Sequence, residues 1–304
     1  FRRPFSIHSN SEEKREKQWQ RGHLFLIARE SACRVYWVEL QICPFFSSKE
    51  SLKFRIIVKK SGLTSTRSLD LVHPCYNPHK GWAEDLLHYY QQFRDQLPAD
   101  LQVSVYLVND GSSHGIQASD LSLLEAGIAS FHFIDLPKNV GKGAALREAV
   151  KQTTGDLIIY TDADYPYKME NALEMYRRLA SGNVDVVVGV RDEQYYDSLP
   201  LRRKIFSLSL KLMNYLFFPR LKVKDTQSGL KGFNQRGKEL FLKTQISAFL
   251  FDMEFLVLVS RSKDIRFEWI YVQLRDGIQF SSMKFKTILT ELFNFTSILI
   301  RRLI

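Results

Sequence analysis

The chain has 304 residues, 45% of them hydrophobic, enough apolar material for one large α/β domain or two small ones, which excludes a globally disordered chain. Its net charge is +10, but residues 1–66 alone hold 13 Lys and Arg against six Glu and no Asp, so the rest is nearly balanced. That distribution excludes a uniformly basic nucleic-acid binder, and no nucleic-acid partner is expected.

Residues 1–66 carry no motif and no sustained helical or strand period. They are expected to be an N-terminal extension, disordered, loosely attached or lying outside the functional protein; a regulatory or membrane-binding segment is the alternative. The apolar pieces near the start are short and broken by charge, unlike a signal peptide. No apolar run reaches the roughly 18 residues of a spanning helix. Cys33, Cys43 and Cys75 are odd in number and lack ligand spacing, so neither a zinc site nor a disulfide framework is expected, and a reducing compartment is.

From Ser68 the pattern alternates. Strands are expected at 69–74, 102–110, 131–135, 156–162 and 184–190, with helices at about 82–97, 117–128, 142–153 and 168–181. In "QVSVYLVND" Val103, Val105 and Leu107 share one face while Tyr106 and Val108 lie on the other. Both faces are apolar, as in a parallel sheet covered by helices. Ligands of such sheets bind beyond the carboxyl ends of the strands.

Those ends read "HPCYNP", "NDGSSHG", "LPKNVGKGAA", "TDADYPY" and "GVRDE". Each alone is an ordinary turn-rich loop; five on one edge are a site. Asp110 ends the second strand and suits a base N–H or a ribose hydroxyl. "NVGKGAALREA" opens a helix with two glycines and a lysine, a place for backbone to approach a ligand and for an anion to sit. It is neither a Walker loop nor a three-glycine dinucleotide motif. In "TDADYPY", Asp162 and Asp164 end a buried strand. Carboxylates spaced i, i+2 repel and raise each other's pKa if the chain turns there, as Pro166 suggests. Mg²⁺ or Mn²⁺ removes that cost, using one or two carboxylates plus water and phosphate oxygens.

Taken in order, "HPCYNP", "VNDGSS", "NVGKGAAL", "GDLIIYTDAD", "GVRD" and "DTQSGLKGF" resemble the motifs of family 2 glycosyltransferases with the GT-A fold, most closely the dolichyl-phosphate or polyprenyl-phosphate sugar synthase branch, over about residues 68–284. The resemblance implies an α/β, Rossmann-like, mostly parallel sheet flanked by helices. It divides the chain into the extension (1–66), a GT-A domain (67–280) and an amphipathic C-terminal helix (281–304). The implied reaction is inverting, metal-dependent transfer of a sugar from a UDP- or GDP-sugar to a polyprenyl phosphate. The alternative acceptor is a glycan hydroxyl in cell-surface polysaccharide synthesis. By the same resemblance Pro74, Tyr76 and Asn77 line the nucleotide site, and Asp110 with Gly111 meets the base. Lys142 and Arg191 lie near the nucleotide, and Asp162 lies near ribose or donor sugar. Asp164 is the main ligand of Mg²⁺ or Mn²⁺, with Asp162 beside it. Asp225 and Gln227, with Gly229, line the sugar and acceptor pocket, and Asp252 is the base if the acceptor is a hydroxyl. A serine and Lys284 of "FSSMK" approach the diphosphate.

Two departures stand out. The family often has Asp-Asp-Gly-Ser-x-Asp, where this chain reads Asn109-Asp110-Gly111-Ser112-Ser113-His114; some lipid-phosphate synthases carry Gln two residues after the paired acids, where this chain has Pro166. Residues 201–224 carry apolar stripes at 205, 208, 212, 216 and at 206, 210, 213, 217 with basic flanks, and 283–304 repeat the theme. A buried helix would explain the stripes alone; stripes with basic flanks predict peripheral association with the cytoplasmic face of a membrane. Asp252 and Glu254 in "FLFDMEF" could instead simply cap a helix start.

Overall fold

The computed structural model describes residues 20–22, 37–42, 54–59, 68–192, 195–196, 199–275 and 285–303. The chain forms two compact units, Phe1–Gly62 and Leu63–Ile304. In the first, strands β1 (Gln20–Gly22), β2 (Trp37–Ile42) and β3 (Phe54–Lys59) form an antiparallel sheet in the order β1-β2-β3. Val38, Leu40 and Ile42 alternate with Glu39 and Gln41 along β2. That five-residue alternation is too short to stand out in the sequence.

The second unit is built on a seven-stranded sheet. Its strands are β4 (Ser68–Cys75), β5 (Gln102–Asn109), β6 (Phe131–Asp135), β7 (Leu157–Tyr160), β8 (Val186–Arg191), β9 (Lys231–Asn234) and β10 (Phe267–Val272). The order is β10-β8-β9-β7-β4-β5-β6. All pairings are parallel except those of β9, which runs antiparallel between β7 and β8. The reversal puts the first residue of β9, Lys231, on the edge where the parallel strands end.

Successive strand residues face opposite sides, and helices cover both. On one side Leu69, Leu71, Val105 and Leu107 pack with α1 (Trp82–Arg94), α2 (Ala118–Gly127) and α4 (Met169–Ala180) through Trp82, Leu86, Phe93, Leu124, Leu173 and Leu179. On the other, Val72, Ile158, Tyr160, Val186 and Phe233 meet α3 (Lys142–Gln152), α6 (Gln235–Phe241) and α7 (Phe251–Arg261) through Leu146, Val150, Phe241, Phe251 and Phe255. Between β8 and β9 lies α5 (Leu201–Phe217), and α8 (Phe285–Leu303) follows β10. The expected strands and helices from Ser68 to Arg191 are present with shifts of up to three residues at their ends. The 201–224 segment is helical only to Phe217, because Pro219 lacks the N–H and the backbone freedom to continue. Strand β10 and helix α6 were not anticipated.

Among the described residues no helix is long and apolar enough to cross a membrane. Helix α5 buries Ser207, Leu210 and Asn214 but exposes Leu201, Ile205, Leu208, Leu212, Tyr215 and Leu216. Helix α8 buries Glu291, Phe295 and Ile298 and exposes Leu289, Leu292, Phe293 and Ile300. The two meet edge-to-face where Phe295 touches Phe217 and Phe218, with ring centroids 6.0 and 5.6 Å apart. The stripe at 205, 208, 212 and 216 therefore faces out, so the buried-helix reading of α5 fails for it.

Candidate active site

The loops after β4, β5 and β6 hold one another. Asn77 adopts φ +47, and its Oδ1 accepts the Ser113 amide at 2.9 Å while its own amide donates to Ser112 Oγ at 2.8 Å. Asp110 is buried, and its carboxylate accepts the amides of Val140 at 2.7 Å and Gly141 at 3.0 Å and the side chain of Asn139 at 3.1 Å. Burial raises its pKa, and the two amides pull it partly back. Gly111 has φ +62, and a Cβ there would lie 2.2 Å from the Lys138 carbonyl carbon, so only glycine lets the 138–141 loop approach. Asp110 and Gly111, expected at the base, thus hold the loop that launches α3. Asn109 donates to Asp135 at 2.7 Å and accepts the Ser112 amide. Beside them opens a pocket of about 380 Å³ lined by Asn109, Ser112, His114, Phe133 and Asp135. Pro74 is half-buried in β4, and Tyr76 is exposed beyond its end.

The start of α3 departs from expectation. The amides of Gly143 and Ala144 donate to Ser247 O, and Cβ atoms at Gly141 and Gly143 would clash with the 246–247 backbone. These glycines make room for protein, and the first-turn amides are engaged. The positive charge facing the site comes from Lys142, which pairs with Asp162. Burial works against that ammonium, but Asp162, Asp252 and Asp164 outweigh it and raise its pKa.

Asp162 to Tyr165 form the tight turn expected from "DADYP": the Tyr165 amide donates to Asp162 O at 3.0 Å. Burial and the neighbouring Asp162 raise the Asp164 pKa, with Lys142 and Arg275 partly offsetting them. Arg275 donates to the carbonyls of Asp164 and Tyr165 at 3.1 and 3.0 Å, bracing the turn. A Cβ on Gly229 would sit 2.7 Å from Asp162 Oδ2, so this glycine leaves space for the carboxylate. Among the described residues no cluster of three or more His, Cys, Asp or Glu could hold a metal by itself. Two carboxylates on one turn, one with a raised pKa, fit a hard divalent cation that takes its remaining ligands from water and a diphosphate.

Three expected residues are paired within the protein. Arg191 and Asp225 are both buried and form a bidentate ion pair, with nitrogen–oxygen distances of 2.5 and 2.9 Å. Arg191 also donates to Tyr195 and Ser207. Burial raises the Asp225 pKa but Arg191 outweighs it, and the net shift is downward. Neither charge is left over for a ligand. Asp252 accepts Tyr160 OH at 2.5 Å and Lys231 Nζ at 2.8 Å on one oxygen. Gln227 is half-buried, its amide donating to Thr226 Oγ1 at 3.3 Å.

Lys231, which the sequence reading missed, lies at the candidate site beside Asp252. It is fully buried, donates to the carbonyls of Thr226 and Ser228 at 3.2 and 2.5 Å, and has its pKa lowered by burial despite Asp252. The "LKGF" stretch offered the signal: a lysine inside a short apolar strand needs a carboxylate partner. Asp252 and Glu254 lie in the first turn of α7, where acids complement the dipole, but neither caps it with a hydrogen bond. Glu254 accepts the amides of Gln245 and Ile246, outside α7, and pairs with Arg301. The amides of Phe249 and Leu250, leading into α7, are taken instead by Glu291 of α8. The "FSSMK" stretch lies outside the described residues.

A mostly parallel sheet with paired acids on a loop at its carboxyl edge is the arrangement of the GT-A fold. Residues 70–241 match the sequence family described as "Glycosyl transferase family 2"; the chain belongs to that family and is a glycosyltransferase. It is 27% identical over 243 residues to dolichyl-phosphate beta-glucosyltransferase ALG5D of Trichomonas vaginalis, covering 74% of this chain and 72% of that one. It is 25% identical over 226 residues to the human dolichyl-phosphate beta-glucosyltransferase, covering 68% and 69%. Among solved structures it resembles mannosyl-3-phosphoglycerate synthase from Rubrobacter xylanophilus, with TM-score 0.57, 16% identity and coverage of 78% and 74%. It also resembles glucosyl-3-phosphoglycerate synthase from Mycobacterium tuberculosis, solved with Mn²⁺, UDP and glucosyl-3-phosphoglycerate, with TM-score 0.51, 14% identity and coverage of 79% and 78%. At those identities the structural likeness carries the fold.

Proposed function

We propose that the chain transfers a hexose, glucose by the names of its relatives, from a UDP- or GDP-sugar to a polyprenyl or dolichyl phosphate, with inversion, at the cytoplasmic face of a membrane. The observation that carries the acceptor class is Asp252. A hydroxyl acceptor needs a carboxylate base with proton affinity to spare. Here one oxygen of that carboxylate is already held by buried Lys231 and by Tyr160, within the protein. A phosphate oxygen is already anionic and needs none.

In this reading Asp164, with Asp162 beside it, holds Mg²⁺ or Mn²⁺, and the bound cation would stabilise the departing diphosphate as a Lewis acid. Lys142 lies across from Asp162 and would orient the diphosphate oxygens. The 380 Å³ pocket between the β5 and β6 ends has polar edges suited to the nucleoside. The outward apolar residues of α5 and α8 would lie in the interface, where a long-chain lipid phosphate resides.

The experiment offers the purified protein UDP- and GDP-glucose with Mn²⁺ and either dolichyl phosphate in vesicles or soluble oligosaccharides. The reading predicts a lipid-linked sugar with the phosphate and none with unphosphorylated dolichol. Transfer to an oligosaccharide alone would overturn it in favour of a glycan-hydroxyl acceptor.

A further inference from the structure

We propose that buried His73 and Tyr165 are positioning residues that set the geometry of the Asp162–Asp164 turn for a divalent cation; this rests on the cation-site reading above. Tyr165 has φ +43, a left-handed conformation that costs a bulky side chain free energy and is usually left to glycine. A tyrosine there persists only if its surroundings over-determine it.

They do so through one imidazole. Tyr165 OH lies 2.9 Å from His73 Nε2, and His73 Nδ1 lies 3.0 Å from Thr161 O. A carbonyl only accepts, so Nδ1 carries the proton, and the Nε2 lone pair is left to accept the phenol O–H. The residue before Asp162 and the residue after Asp164 are thus tied to a single planar group. That group is fully buried in β4, next to the strand carrying the turn. The Tyr165 ring also packs on His73, with centroids 4.8 Å apart, and stacks on Tyr89 at 5.5 Å. Asp162 and Asp164 sit between the two tethered points; Lys142 pairs with the Asp162 carboxylate and Arg275 holds the Asp164 carbonyl, while His73 fixes the span of backbone between them. Without the phenol–imidazole bond the positive φ at Tyr165 is left to the Arg275 brace and the Tyr89 stacking, which do not tie it to Thr161. The turn would relax and carry Asp164 away from Asp162.

The tether acts on cation affinity more than on nucleotide contact, which separates it from a packing role. The test is Mn²⁺ titration of the full chain, followed by the paramagnetic signal of free Mn²⁺. UDP or GDP is present, whichever the protein binds without metal. Tyr165→Phe, which keeps the ring and its packing, and His73→Leu should each weaken Mn²⁺ binding about 10- to 100-fold, the effect typical of outer-shell partners. Metal-free nucleotide affinity should stay unchanged. The double variant should bind no more weakly than the worse single one, because both remove the same bond. Should His73→Leu fail to fold in a melting experiment, Tyr165→Phe decides alone. Wild-type Mn²⁺ affinity in Tyr165→Phe overturns the proposal and leaves the cation site standing. No nucleotide-dependent Mn²⁺ uptake by the wild type overturns the cation site, and the tether with it.

Discussion

Asp185 and Asp164, at opposite edges of the central sheet, stand in opposite environments. At the amino edge Asp185 is fully buried and accepts from Arg266, Arg236, Asn234 and the Arg266 amide. Burial pushes its pKa up, but Arg266 dominates and holds it well below the usual carboxylate range. At the carboxyl edge Asp164 sits beside another acid and has its pKa raised. Among the described residues both non-glycine residues with positive φ, Asn77 and Tyr165, are also on that edge. Asp185 is satisfied and serves stability; the Asp162–Asp164 turn holds repulsion and a strained tyrosine that a cation would relieve.

The largest expected effect tests the strained edge. Asp164→Asn should reduce sugar transfer about 10³-fold, since a cation's stabilisation of a leaving group amounts to several kcal/mol. Its melting temperature should stay level or rise, because a repulsive charge is gone. Asp185→Asn should do the reverse. It should lose about 2 kcal/mol of stability, measured by urea unfolding, because the charge-assisted bonds from Arg266 and Arg236 to a buried carboxylate are weakened. The folded fraction should turn over normally.

The sign with pH follows from the same contrast. A carboxylate with a depressed folded pKa contributes stability that is fully present above its unfolded value of about 4 and is lost as pH falls below it. Acid unfolding should therefore move to higher pH in Arg266→Ala, read by circular dichroism between pH 5 and 2. Smaller is the effect at the outward helices. Leu212→Glu with Phe293→Glu should lower partition onto anionic vesicles roughly tenfold or more in flotation, with nucleotide binding unchanged. Smallest is Gly229→Ala, whose methyl would displace the Asp162 carboxylate and should slow transfer several-fold.

Much of the carboxyl edge was legible because strand period and turn residues are local. The strands from Leu69 to Val190 follow from apolar runs, and the Asp162–Tyr165 turn from two acids before a proline. What escaped depends on distant partners. Asp225 and Arg191 looked like ligand groups because each ends a segment at the site; their pairing spans 34 residues and appears only when β8 meets the loop before β9. The "GKG" stretch looked like an anion cradle, yet its amides meet Ser247, about 100 residues away. Lys231 was overlooked because its place on the carboxyl edge depends on β9 running in reverse, which no local pattern announced.

The most direct test of the account is Mn²⁺-dependent sugar transfer to dolichyl phosphate by the wild type and by Asp164→Asn, both kept below their melting temperatures. The account predicts lipid-linked sugar from the wild type, lost on chelation, and a drop of about 10³-fold in a variant that remains folded. Equal transfer by the two proteins, or transfer untouched by chelation, would contradict it.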